Sequence, residues 1–342
     1  MKMKKQLAAL FMSAVLAVAS LSGCGSKAET ADSTGGSTTG TSTASTASTS
    51  SGKQPYVIFV NPLVGNPVFT AEENGLKKAA EEFGFKLKVT GPSTINDIQM
   101  VQAVESAITE KPDFIVTVPY NYTALESTYK KAKEAGVPII NTSSESSDQS
   151  LRVAYIGTDN AAYGKMAADI LGKANNGKGK VLSMMVRMDI SNQKEIIEAF
   201  EKRCQEAYPD MKIVSKEQDN GDAMTSVQKF KDAFKAHPEI DTVLCVNATC
   251  GNSAALVTKE LGIGDKVRIL AIDDIDETIK NVKDGAIWGT MVQNFYKMGY
   301  MAGQYGIDFL NKKDVPSVTD SGTIFVNKDN VNTYKDEMLK VK

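Results

Sequence analysis

Past residue 55 the chain alternates short apolar runs with longer segments of helical spacing. The runs are YVIFV (56–60), KLKVT (86–90), DFIVTV (113–118), VPIIN (137–141) and RVAYI (152–156). A second series follows: KVLSMMV (180–186), MKIVSKE (211–217), DTVLCV (241–246), VRILAI (267–272) and AIWGTMV (286–292). Several are almost continuously apolar, as in strands covered on both faces. Between them, Leu76, Ala79, Ala80 and Phe83 follow i, i+3, i+4, i+7, as do Ile98, Val101, Val104 and Ile108 approximately, and Val227, Phe230 and Phe234. Gly84, Gly136-Val137-Pro138 and Gly262 stand where these helices should stop.

Strands alternating with helices imply parallel βαβ units with right-handed crossovers. Ten units are too many for one compact sheet, so the rhythm predicts two doubly wound, Rossmann-like α/β lobes. In such sheets ligands bind beyond the carboxyl ends of the strands. The strand ends here carry mostly amides, hydroxyls and single carboxylates, with aromatic rings among them. Asn61 to Phe69, Pro119 to Tyr122 and Asn141 to Ser144 belong to the first half; Asp189 to Lys194, Asn247 to Asn252, Asp273-Asp274 and Gln293-Asn294 to the second. Hydroxyl groups of a ligand donate to carboxylate or amide oxygens and accept from amide NH₂ or ammonium groups, and a ring covers an apolar C–H face. That mixture suits a neutral polyhydroxylated molecule. Neither GxGxxG nor GxxxxGK[ST] occurs, so a phosphate loop is not expected.

Before the alternating region lies a different kind of sequence. Lys2, Lys4 and Lys5 precede an apolar run from Leu7 to Leu21, the layout of a secretory signal peptide. The run ends in Leu21-Ser22-Gly23-Cys24, which resembles a bacterial lipobox and implies that Cys24 is lipidated (signal and lipobox 1–24). Residues 25–53 are Ser, Thr, Gly and Ala with almost no apolar mass, the composition of a disordered tether, with a reach of roughly 30 Å as a flexible coil. The protein is therefore expected outside the cytoplasm, held at the cell membrane by an N-terminal lipid.

The formal net charge is −2 and no basic block occurs, which points away from nucleic acid. His237, the single histidine, precedes Pro238 in a loop-like stretch and lacks neighbours for a metal site. Cys204 lies on an apolar helical stripe with Ile197, Phe200 and Tyr208; Cys245 and Cys250 are spaced for neither a redox pair nor zinc, and an odd count favours free thiols. No metal, cofactor or catalytic residue is expected.

Three stretches carry a family resemblance: NPVFTAEENGLKKAAEEFG, YIGTDNAAYGKMAADIL and AIDDIDETIKNVKDGAIWGTMVQN. In this order and spacing, residues 55–335 resemble the periplasmic-binding-protein type I family, the sugar-binding clusters that include ribose-binding proteins. The resemblance implies chain crossings near 157–160, 292–296 and 321–324, with a first lobe of 54–158 plus 294–322 and a second of 159–293 plus 323–342. It makes Asn66 and Phe69 ligand contacts of the first lobe, and Asn247, Asp273 and Gln293 contacts of the second lobe and hinge. Tyr120, Ser143, Asn192 and Lys194 complete the candidates from the strand ends. Each has a plainer reading beside it: Asn66 before Pro67 could start a turn, Phe69 could fill the core, Tyr120 could cover a helix end, and Asp273 could cap a helix. Asp274, Asp276 and Glu277 suit a helix N-terminus better than a calcium loop, and Trp288 suits packing.

Departures from the family pattern bear on the ligand. Val68 replaces a second aromatic, Ser143-Ser144 an Asp-Arg pair, Lys194 an arginine and Ala248 an aspartate. The bidentate guanidinium contacts that fix a sugar's hydroxyl pattern are gone, which argues against ribose itself. LVGNPVFTAEENG followed by VTGPST is also similar to the branch that binds rhamnose or furanosyl autoinducers, but Pro62 stands where autoinducer receptors have lysine. The expectation is a monomeric, non-enzymatic receptor that captures a sugar-like molecule and hands it to an ABC permease with its ATPase. A sensor signalling to a membrane kinase or chemoreceptor is the alternative.

Overall fold

The computed structural model describes residues 53–338. Cys24 and the segment before residue 53 lie outside the described residues. A first sheet holds β1 (Tyr56–Val60), β2 (Lys86–Thr90), β3 (Phe114–Thr117), β4 (Ile139–Thr142) and β5 (Ala154–Gly157). A second holds β6 (Lys178–Met185), β7 (Asp210–Gln218), β8 (Thr242–Cys245), β9 (Arg268–Ile272) and β10 (Gly289–Gln293). The late strands β11 (Val318–Asp320) and β12 (Thr323–Asn327) are shared out, one to each sheet. The orders are β11-β5-β4-β3-β1-β2 and β12-β10-β9-β8-β6-β7, two doubly wound sheets of the same plan. All pairings are parallel except β10 with β12, whose antiparallel register sets Gln293 opposite Thr323.

Three links join the sheets. After β5 the chain continues into α4 (Asn160–Ala174), which packs on α5 (Ser191–Ala207) beside the second sheet. After β10 it enters α9 (Phe295–Leu310), which packs on α1 (Pro67–Phe83) beside the first. Ser321 and Gly322 then connect β11 to β12. Asparagines and aspartates start many helices: Asn66 caps α1, Asn96 caps α2 (Asp97–Thr109), Asn121 caps α3 (Tyr122–Glu134) and Asn294 caps α9, each accepting from a backbone N–H two or three residues on.

Two details depart from the sequence reading. The buried stripe of α2 runs through Met100, Val104, Ala107 and Ile108, and Ile98 is exposed at its start. β10 begins three residues later than the apolar run, because Gly285 closes α8 (Asp276–Asp284) in a left-handed conformation and Ala286 to Trp288 lead out of that turn.

The α1–α9 contact is set by glycine. A methyl group on Gly75 would lie 2.0 Å from the Tyr296 carbonyl oxygen, and one on Gly299 2.0 Å from that of Glu72. Backbone cannot yield as a side-chain tip can, so Gly75→Ala should destabilise the protein by about 3 kcal/mol, at the upper end for overpacking. Chemical denaturation of the variant checks this, and an unchanged midpoint would contradict it.

Candidate functional site

At the carboxyl ends of both sets of strands lies a cavity with about 70 Å³ open to the centre of a water-sized sphere. That is room for roughly five water-sized groups, hence one small ring rather than a chain of rings. Asn66, Phe69, Tyr120 and Ser143 line it from the first lobe, and Asn192, Asn247, Asp273 and Gln293 from the second lobe and its return link. Lys194 is not among them. Helix α5 begins at Ser191 and turns Gln193, Ile196, Ile197 and Phe200 inward, which carries Lys194 round to solvent, 3.7 Å from Glu198. The expectation of a ligand contact there is therefore corrected. Gln193 takes the inward place: it lines the cavity and accepts the Val186 N–H at 2.8 Å. The 193/196/197/200 stripe was the signal that could have found it.

Asp273 is the centre of the polar wall. Its backbone is left-handed (φ 65°), and its N–H donates to Met291 O at 2.9 Å. It caps no helix, since Ile275 precedes α8. The carboxylate is 4% exposed and receives Gln293 Nε2 at Oδ1, 3.0 Å. An ionised carboxylate only accepts, so the Gln293 amide must turn its NH₂ toward it. Gln293 Oε1 then accepts the Thr158 hydroxyl at 2.7 Å. A hydrogen-bonded line thus runs from the cavity to the first link between the sheets. Burial pushes the Asp273 carboxyl up to about 7; the Gln293 hydrogen bond opposes this and the neighbouring Asp274 adds to it.

The remaining contacts divide between structure and free valence. Asn66 Oδ1 is engaged by the Val68 N–H at 3.1 Å as the helix cap, so its NH₂ is the part left for a ligand. Asn192 likewise spends Oδ1 on the Gln193 N–H. Asn247 is the most committed: its NH₂ donates to Asp219 and its oxygen receives Thr249 and Cys250 N–H groups. Ser143 is held in a left-handed conformation. Phe69 meets Tyr120 and Phe295 edge to face at 5.9 and 5.8 Å, so it is core filling and cavity wall together. Burial, then the charges of Asp273 and Glu72, push the Tyr120 phenol far up and keep it neutral.

On the side away from the links, Arg187 follows the lining residue Val186 and crosses to Asp97 at the start of α2. Its Nη2 donates to Asp97 Oδ2 at 2.9 Å and its Nε to Asp189 Oδ1 at 2.8 Å. Asn121 supports Asp97 from behind at 2.8 Å. Arg187 is 20% and Asp97 31% exposed, so the pair stabilises the closed arrangement by about 1 kcal/mol. Asp97→Asn should raise the ligand's dissociation rate about fivefold, with the association rate little changed. Stopped-flow kinetics would show it.

A wider groove of about 740 Å³ lies at the other end of the second sheet, lined by Lys178, Asp241, Arg268 and Trp288 among others. Trp288 there packs on Phe325 and under the Arg268 guanidinium. It faces the amino ends of the strands, the wrong end for a ligand in this architecture. His237 is exposed beside Glu239, and Cys204, Cys245 and Cys250 are free and buried. Among the described residues no cluster of acidic, histidine or cysteine side chains could hold a metal ion, and no helix is long and apolar enough to cross a membrane.

Two doubly wound sheets whose strand ends line one cavity of mixed polar and aromatic side chains define a two-lobed binding architecture. The chain belongs to the periplasmic binding protein domain family, whose sequence model matches residues 57–314. Among curated relatives, it is 23% identical over 237 residues to the ribose import binding protein RbsB of Salmonella typhimurium, covering 69% of this chain and 78% of that protein. It is 29% identical over 210 residues to a xylitol-binding protein of Mycolicibacterium smegmatis, covering 59% and 58%. Among solved structures, an ABC transporter solute-binding protein from Burkholderia graminis in complex with D-arabinose superposes with a TM-score of 0.79 at 30% identity, over 82% of this chain and 98% of that one. These relatives are binding proteins rather than enzymes.

Proposed function

We propose that this protein captures a sugar or sugar-like small molecule between its two lobes and delivers it to an ABC permease with its ATPase. It does so as a monomer outside the cytoplasm, anchored through lipidated Cys24. The observation that carries the reading is Asp273, a buried carboxylate turned into a cavity of one ring's size and tied through Gln293 to Thr158 at a link between the lobes. Asn66, Phe69, Tyr120, Ser143 and Asn192 supply the rest of the contacts, with Asn247 shaping the wall. The ribose, xylitol and arabinose named for the relatives support the ligand class. A monosaccharide has about 12 heavy atoms, so micromolar affinity needs roughly 0.7 kcal/mol from each. Enclosure between two lobes supports that yield better than an open surface would.

Thermal denaturation with pentoses, hexoses, deoxy sugars, polyols and nucleosides tests the reading. A ligand at 100 times its Kd adds about 2.7 kcal/mol of stability, a plain rise in melting temperature. No shift across the whole panel from a folded protein would overturn it. A second reading, signalling to a membrane kinase or chemoreceptor, draws support from one finding. XylFII, whose complex with LytSN has been solved, matches this fold with a TM-score of 0.76 at 26% identity.

A further inference from the structure

The cavity has an unbalanced charge. Asp273 is the only ionisable acid or base of the carboxylate, amine, guanidine or imidazole kind among its lining residues. Two further buried carboxylates stand close behind the wall. Asp219 accepts from the lining Asn247 at 2.9 Å, and Glu72 lies in α1 close enough to Tyr120 to act on its phenol. Both are fully buried, and among the described residues neither forms an ion pair. Arg187, next in the chain to the lining Val186, is turned outward and shared between Asp97 and Asp189, two carboxylates for one guanidinium. Lys194 points to solvent. Burial keeps Glu72 protonated near neutral pH, so the negative field inside the cavity comes from Asp273, with Asp219 behind Asn247, and low-dielectric walls concentrate it.

We propose that the ligand carries its own positive charge: a protonated amine on a small hydroxylated frame, such as an amino sugar or amino polyol, with its ammonium against Asp273. This rests on the reading of the cleft as a site for a sugar-like molecule and narrows it. A buried carboxylate is tolerated when paired and hydrogen-bonded, and the amide and backbone N–H of Gln293 are the donors that act on this one, neither of them a charge. The protein supplies no cation to complete the pair, so the ligand does. Phe69, Tyr120 and Phe295 line the same cavity, and aromatic faces attract a cation and repel an anion. The free NH₂ of Asn66 and that of Asn192 donate to the hydroxyl oxygens of the frame.

Titration calorimetry of the purified protein at pH 7.5 decides it, using glucosamine, galactosamine and 1-amino-1-deoxysorbitol. Each is run beside its neutral parent, and the two hexosamines also beside their N-acetyl forms. We expect at least one amine to bind about tenfold or more tightly than its neutral counterparts, the range of a hydrogen bond between charged groups. Asp273→Asn, which keeps the side chain's shape and tolerates positive φ, should melt as a folded protein and lose the preference. Neutral sugars binding as tightly as their amines would overturn this inference while leaving the sugar-binding reading intact. A preference that survives in Asp273→Asn would overturn the assignment of the carboxylate. Absence of binding by every amine would overturn this inference, while the sugar-binding reading falls only if the whole thermal-denaturation panel also gives no shift.

Discussion

Replacing Asp273 by alanine should abolish ligand capture, raising Kd at least about 100-fold, or about 3 kcal/mol. The substitution removes the one charged group of the cavity and leaves the Gln293 NH₂ without its acceptor. It also breaks the hydrogen-bonded line to Thr158, so whatever binds is no longer coupled to the link between the lobes. The effect on the free protein has the opposite sign at neutral and higher pH. Burial raises the folded-state carboxyl to about 7, above its unfolded value, so the protonated form is the comfortable one. Folding carries no penalty from this group well below its unfolded value near 4, and a growing one as pH rises through 7. Alanine at φ 65° is strained and offsets part of this gain, so the loss of binding should come with a folded protein of near-unchanged stability. A titration paired with a melting curve separates the two, and retention of near-normal affinity would sink the assigned role.

Glu72→Gln should stabilise the protein in alkaline solution by on the order of 4 kcal/mol at pH 8, and have little effect near pH 4. Glu72 is fully buried in α1, and neither carboxyl oxygen finds a hydrogen-bond partner. Desolvation pushes it up to about 8; the Thr142 hydroxyl nearby relieves part of the cost without bonding to it. The sign follows as for Asp273: folding takes up a proton, so stability is full below the unfolded value near 4.5 and is lost as pH rises through 8. Glutamine keeps the shape and does not titrate. Urea denaturation from pH 5 to 8.5 should show the two proteins diverging steadily, and parallel curves would contradict the account.

The strands were legible because parallel sheets covered on both faces need nearly continuous apolar runs, and β1, β3, β8 and β9 have them. β11 was not, since a three-residue edge strand with exposed ends leaves no apolar signature. Asn66, Asp273 and Gln293 could be found as polar residues just past apolar runs. The Lys194 expectation failed on helical phase: one residue of offset is about 100° of rotation, and the N-terminus of α5 decides which side chain faces inward. Glu72 was missed for a different reason. A glutamate in an amphipathic helix reads as solvent-facing, and its burial depends on Gly299, far along the chain, letting α9 close over it. Pattern within one helix cannot show that.

Capture of the ligand in the cavity between the two lobes is the claim on which everything else rests, and lobes that hold a ligand between them close on it by hinge motion. Small-angle X-ray scattering of the wild-type protein, alone and saturated with whichever sugar or amino sugar raises its melting temperature, tests it most directly. The account predicts a smaller radius of gyration in the saturated sample and no change for Asp273→Ala under the same conditions. An unchanged radius in a sample shown by calorimetry to be fully bound would place the ligand somewhere other than the cleft between the lobes.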